Sequence, residues 1–142
     1  MRIGIGSDHA GFQLKSHIIK KMNEMGHDVV DMGPESAERV DYPVYAKKVS
    51  VAVACGDVER GILVCGSGIG MAMTANKSNG VRAANCVSEF QARYSRLHND
   101  ANVLCLGERV VGTAVAESIL EIFLAEEFEG GRHADRVAQI NH

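Results

Sequence analysis

The chain lacks a cluster of lysines and arginines, an apolar run near the roughly 18 residues of a membrane span, and a Cys-x-x-Cys pair. Each absence removes a class. With a net charge of −3 and its basic residues scattered, the sequence has no electrostatic footprint for nucleic acid, and no such partner is expected. Without a long apolar stretch, no membrane association is expected either. The sequence opens directly on a strand-like segment, Arg2-Ile3-Gly4-Ile5-Gly6, with no charged head and apolar stretch before it. The expected compartment is therefore the cytoplasm. The four cysteines, at 55, 65, 86 and 105, are spaced like free thiols of a reducing compartment rather than a disulfide framework. No Cys/His/Asp/Glu grouping has metal-ligand spacing, so no metal is expected. The dinucleotide fingerprint Gly-x-Gly-x-x-Gly after the first strand is missing, as is the Gly-Lys-Ser/Thr ending of a phosphate loop. There is no repeat, linker or low-complexity segment. At 142 residues, 46% hydrophobic and 23% charged, the chain reads as one domain over 1–142.

What is present is alternation. Ile3 to Ser7 reads as a strand, and Leu14, Ile18, Ile19, Met22 and Met25 recur at helical spacing over Phe12 to Met25. Asp28 to Met32 is a second strand. Asp41, with Pro43 in the first turn, opens a helix that runs to about Cys55. Gly61 to Val64 is a third strand, followed by a glycine loop and a helix to about Lys77. Val81 to Val87 is the fourth strand, and Ser88-Glu89-Phe90-Gln91 is a capping box for a helix ending near Leu97. Asn102 to Leu106 is the fifth strand, and a last long helix carries Val115, Ile119, Ile122 and Phe123. Beyond Glu126 a glycine-hinged tail ends in about one helical turn. Strand and helix alternating five times predict an α/β fold with a five-stranded parallel sheet covered on both faces.

In such sheets ligands bind beyond the carboxyl ends of the strands. The polar residues there are Ser7, Asp8 and His9, then Cys65 and Ser67, then Glu108 and Arg109. Gly61-Ile62-Leu63-Val64-Cys65 runs into Gly66-Ser67-Gly68-Ile69-Gly70, a strand followed by glycine at every second position. Such a junction aims free backbone amides at one spot with a helix dipole behind them, an environment that favours a thiolate over a thiol. Cys55, Cys86 and Cys105 have no such loop and read as small buried hydrophobes. Asp8 has a second reading as a helix cap, and His98 as a complement to a helix dipole. Arg132 and Arg136, at i and i+4, would share a helix face and clamp a phosphate, or form an ordinary solvated face.

Together these segments resemble the type B ribose-5-phosphate isomerases, within the family that includes allose- and galactose-6-phosphate isomerases. The likeness rests on ordered motifs along nearly the whole chain: Gly-Ser-Asp-His-Ala-Gly at 6–11, Asp-Tyr-Pro at 41–43, Cys-Gly-Ser-Gly-Ile-Gly at 65–70, Ala-Asn-Lys at 75–77. Further on come Ser-Arg-Leu-His-Asn-Asp at 95–100, Leu-Gly-Glu-Arg-Val-Val-Gly at 106–112 and Glu-Gly-Gly-Arg-His at 129–133. The resemblance implies a Rossmann-like α/β/α sandwich, a homodimer, and aldose–ketose isomerisation without metal or cofactor. Ribose 5-phosphate and ribulose 5-phosphate of the pentose phosphate pathway would be interconverted through an enediolate. It implies Cys65 as the base between C1 and C2, His98 opening the furanose ring, and Asp8 and Asn99 on sugar hydroxyls. His9, Arg109, Arg132 and Arg136 would hold the phosphate, and Gly66, Ser67, Gly68, Ile69 and Gly70 would stabilise the enediolate, with Ser67 counted among the catalytic groups. Some branches carry the base on a glutamate of the next helix; Met71 to Ala75 offers no carboxylate.

Three alternatives stand beside this reading. They are the same chemistry on a hexose 6-phosphate such as allose 6-phosphate, a non-catalytic sugar-phosphate sensor, and a thiol phosphatase. The last wants an arginine in the phosphate loop, and none occurs between Cys65 and Gly80. Topology adds an expectation. Cys65 ends a strand, whereas His98 ends a helix returning to the opposite edge of the sheet. The active site is therefore expected to be shared between two chains, with the tail from about 126 packing on the partner.

Overall fold

A computed structural model describes residues 1–140. In chain order the elements are β1 (Arg2–Ser7), α1 (Phe12–Glu24), β2 (Asp28–Asp31), α2 (Tyr42–Cys55), β3 (Arg60–Cys65) and α3 (Ile69–Ala75). They continue with β4 (Ala83–Asn85), α4 (Glu89–Leu97), β5 (Val103–Gly107), α5 (Thr113–Ala125) and α6 (Arg132–Ile140). All five strands are parallel, in the order β2-β1-β3-β5-β4. The expected three-layer α/β/α sandwich is what forms.

The layers follow from crossover handedness. The connections through α2 and α3 step across the sheet in one direction, and those through α1 and α4 step back. Right-handed crossovers then put the two sets on opposite faces. One core packs Leu14, Ile18 and Met22 of α1 and Ile119 and Phe123 of α5 on Ile3, Ile5, Ile62 and Leu104. The other packs Ala46 and Val49 of α2 and Met71 and Ala75 of α3 on Leu63, Cys65, Val103 and Cys105. Alternation along β3 thus sends Ile62 and Val64 to one side, and Leu63 and Cys65 to the other. Because α1 and α3 leave neighbouring strands toward opposite faces, a crevice opens between the carboxyl ends of β1 and β3.

Several boundaries differ from the sequence pattern. The β4 strand is confined to Ala83–Asn85: before it Val81 closes a turn onto the Ser78 carbonyl at 3.1 Å, and after it the Cys86 amide still reaches the Cys105 carbonyl at 3.2 Å. α3 stops at Ala75, where the amides of Asn76, Lys77 and Ser78 turn back onto Ala72, Thr74 and Ala75. Asp41 stands at the α2 N-cap, but its side chain makes no capping bond. Ser88 does cap α4, accepting from the Gln91 amide at 3.2 Å. The tail is a nine-residue helix, α6, rather than a single turn. Cys55 is exposed at the end of α2 and is not the buried residue expected.

Candidate active site

At the crevice a cavity of about 610 Å³ is lined by Asp8, His9, Tyr42, Cys65, Gly66, Ser67, Ile69, Gly70, Met73 and Arg109, among others. The fold thus gathers most of the expected residues of β1, β3 and β5 at one place. Cys65 is 5% exposed, and its Sγ accepts the Gly68 amide at 3.1 Å. A thiolate accepts such a bond more strongly than a thiol does. Ser67 Oγ accepts from the Ile69 amide at 3.2 Å, which sets the curl of the loop. The amides of Gly66, Ser67 and Gly70 have no protein acceptor among the described residues. α3 has only seven residues, so these loop amides, more than a long helix dipole, supply the positive potential.

Two glycines are required by the loop's geometry. Gly68 has φ +81°, and a Cβ on it would lie 2.3 Å from Asn85 Oδ1. A Cβ on Gly70 would lie 2.6 Å from the Tyr42 ring, which packs on the loop and forms a wall of the cavity.

The remaining groups are held by neighbours. Asp8 is buried and accepts the Gly11 amide at 3.0 Å just before α1, so it closes the turn into that helix while facing the cavity. His9 Nδ1 lies 3.2 Å from the Val40 carbonyl oxygen and 3.3 Å from its amide nitrogen. That leaves Nε2 without a protein partner among the described residues. Arg109 lies along Gly66, makes no ion pair among the described residues, and brings a cation to the rim. Glu108 plays a structural part, since its Oε1 accepts the Leu14 amide at 2.6 Å and ties the first turn of α1 to the end of β5. Burial pushes the Cys86 thiol up to about 11 and raises Cys105 well above the ordinary thiol value, so neither is a nucleophile.

His98, Asn99, Arg132 and Arg136 lie elsewhere in the chain. Cys65 is level with Gly107 at the end of β5, whereas His98 precedes Val103 at its start. At about 3.3 Å per residue the strand alone separates them by roughly 13 Å along the sheet. His98 caps α4 and stacks on His133 of α6, with ring centroids 4.0 Å apart and planes 11° from parallel. Burial first, then the neighbouring His98 and Arg132 charges, hold the His133 imidazole below its ordinary value. Arg132 and Arg136 are exposed on α6, while His133 and Val137 turn inward. Asn99 lines a second cavity, of about 550 Å³, beside Arg82 and Ile140.

His98, Glu129 and His133 bring one ligand atom each within 4.8 Å of one another. A metal ion, however, must lie in the plane of each imidazole that binds it. Two nearly parallel rings at 4.0 Å do not share such a point, so in this arrangement the pair fits stacking and not chelation.

Sequence alone assigns no role to Tyr42 or His133, although both lie inside the motifs named above. Tyr42 follows the aspartate at the N-terminus of α2, and His133 sits between the paired arginines, where the helix turns it about 100° from Arg132 and into a buried position.

The sequence profile of the family described as Ribose/Galactose Isomerase matches residues 3–140. Ribose-5-phosphate isomerase B of Escherichia coli is 48% identical over 139 residues, which cover 98% of this chain and 93% of that protein. Among solved structures, ribose-5-phosphate isomerase B of Clostridium thermocellum superposes with a TM-score of 0.98 at 50% identity, covering 99% of this chain and 95% of that one. The Thermotoga maritima ribose 5-phosphate isomerase superposes with a TM-score of 0.97 at 44% identity, covering 99% and 97%.

Proposed function

Because this chain belongs to the ribose/galactose isomerase family, we propose that it interconverts ribose 5-phosphate and ribulose 5-phosphate by proton transfer through an enediolate. The observation that carries the reading is a free thiol at the end of β3, bonded to the Gly68 amide and facing a cavity that also holds Asp8 and Arg109. Cys65 is the base that takes the proton from C2 of the aldose and returns it to C1. The unpaired amides of Gly66, Ser67 and Gly70, with the Ser67 hydroxyl, face the negative oxygens of the enediolate; one such donor contributes about 3 kcal/mol. Asp8 orients sugar hydroxyls, and His9 and Arg109 receive phosphate oxygens. Identity of 48% to a protein named for the five-carbon substrate favours ribose 5-phosphate over a hexose phosphate.

Ribose 5-phosphate exists mainly as a furanose, so a second acid–base group must open the ring before C2 can react. His98 fits that role but is remote from Cys65 within one chain. The site is therefore shared in a homodimer, with His98 and Asn99 reaching the Cys65 cavity of the other subunit and Arg132 and Arg136 clamping the phosphate there. A two-fold axis creates two such sites. The segment from about 126 is held to its own chain by Arg96 Nε on the Glu126 carbonyl (3.1 Å) and the Glu129 amide on Leu97 (3.1 Å). Its outer, arginine-bearing face is what packs on the partner. The reaction runs in the cytoplasm as a step of the pentose phosphate pathway, where the thiols stay reduced.

The test is proton NMR of ribose 5-phosphate with pure protein in deuterated buffer. Ribulose 5-phosphate should appear with deuterium entering at the reacting carbon, and a Cys65→Ala chain should bind without turnover. Binding without any turnover by the natural chain would make it a sensor, and release of inorganic phosphate would make it a phosphatase.

A further inference from the structure

If His98 opens the ring, the turn that carries it must be held rigidly, and we infer that Asp100 is the positioning residue that holds it. This rests on the reading of His98 above and extends it to a residue that touches neither cavity wall nor substrate. Asp100 has φ +46° and is the one non-glycine residue in the left-handed region among the described residues. The turns after α1 and α2 adopt the same region at Gly26 and Gly56, where it is unstrained. After α4 the chain places an aspartate where glycine is conformationally easier. A strained choice of this kind points to a use for the side chain.

That use is visible in its contacts. Asp100 Oδ1 accepts from Arg96 Nη1 at 2.9 Å, and Oδ2 accepts from Arg82 Nη2 at 3.2 Å. Arg82 Nε also donates to the Asp100 carbonyl at 2.9 Å, so one guanidinium grips both the backbone and the side chain of the turn. Arg96 is 3% exposed and donates further to the Ala101 carbonyl at 2.6 Å. One carboxylate therefore bridges two guanidinium groups and fixes the two residues that precede it, His98 and Asn99. Removing it leaves the two guanidinium groups to repel one another beside the turn.

The experiment separates ring opening from proton transfer. Ribose 5-phosphate must be opened, whereas ribulose 5-phosphate is acyclic, because the C5 hydroxyl it would need for closure is esterified. Cys65 can therefore exchange the C1 hydrogen of ribulose 5-phosphate with deuterated solvent without any ring step. A His98→Asn chain should lose kcat/KM for interconversion in both directions, as the fixed equilibrium requires, and largely keep this exchange. Asp100→Gly keeps the left-handed backbone and deletes the carboxylate, while Asp100→Asn keeps the shape and deletes the charge. Asp100→Gly should lower kcat/KM for interconversion at least tenfold and slow the C1 exchange less than threefold, with Asp100→Asn in between. If Asp100→Gly does not fold, Arg82→Gln breaks the clamp from its other end and should give the same split. Equal losses of interconversion and exchange, or no loss in a folded variant, overturn the role of Asp100 while His98→Asn still shows the split. Absence of the split in His98→Asn itself overturns the ring-opening reading and the inference with it.

Discussion

Replacing Gly68 by alanine tests the geometry of the Cys65 loop most severely. The backbone there has φ +81°, which costs a residue with a Cβ about 1–2 kcal/mol. The added methyl would lie 2.3 Å from Asn85 Oδ1, 3.0 Å from its Cγ and 3.1 Å from the Leu106 carbonyl carbon. Leu106 is fixed in β5, and Asn85 is tied by Nδ2 to the Ser67 carbonyl at 3.4 Å, so neither retreats freely. Overpacking of this kind costs roughly 1–3 kcal/mol. The retained loop therefore loses about 2–5 kcal/mol, out of about 5–15 for a whole domain. At about 3 °C per kcal/mol for a chain of this size, Tm should fall by roughly 6–15 °C. A loop that shifts to escape the clash loses less stability but withdraws the amide from Cys65 Sγ, and turnover falls instead. The assay is urea unfolding and turnover of Gly68→Ala, Asn85→Ala and the double variant. The double variant should recover the overpacking share and leave the backbone share, a coupling of about 1–3 kcal/mol. Gly68→Ala within about 0.5 kcal/mol of the natural chain, with unchanged kcat, would mean that the loop accommodates a side chain at this position and that the close approach is not needed.

Other consequences concern the rest of the site. Arg132→Ala and Arg136→Ala each remove a charge-assisted contact of roughly 1.5–3 kcal/mol, so KM for ribose 5-phosphate should rise roughly ten- to a hundredfold; comparable losses on unphosphorylated ribose would show that they do not read the phosphate. Burial and its cationic neighbours lower the His133 value, so the unfolded histidine, near 6.5, takes its proton first. This contribution to stability is present above about pH 6.5 and drains away as pH falls toward the lower native value. The urea midpoint of His133→Asn should therefore fall less steeply with acid than that of the natural chain, and parallel slopes would contradict the assignment. Lys15 is 1% exposed and holds Asp31 at 2.8 Å and the Pro34 carbonyl at 2.6 Å; Lys15→Met should cost about 1–3 kcal/mol in urea unfolding, and no cost would mean that these contacts are neutral.

The parallel sandwich was legible because β1, β3 and β5 are continuous apolar runs that both covered faces require. Cys65 stood out because its strand runs directly into alternating glycines. What the sequence did not disclose are relations between distant residues. Glu108 looks like a site residue until its bond to Leu14, 94 residues away, makes it a tether for α1. Tyr42 becomes a wall of the cavity only because Gly70 lacks a side chain. β4 reads as seven residues because Val81 and Val87 are apolar, yet an edge strand pairs on one side only, and Val81 and Ser88 are drawn into a turn and a cap. The full length of α6 was not legible because it follows Gly130-Gly131, which reads as a hinge, and of its apolar residues only Val137 is buried.

Whether Cys65 of one chain and His98 of another form a single site is decided by mixing two inactive proteins. Cys65→Ala and His98→Asn chains are unfolded together, reassociated and assayed for conversion of ribose 5-phosphate. Random pairing makes about half the dimers mixed, each with one intact site, so roughly a quarter of the natural activity should return. No recovery, with mixed dimers shown to be present, would put both residues in the site of a single chain and rule out the shared site.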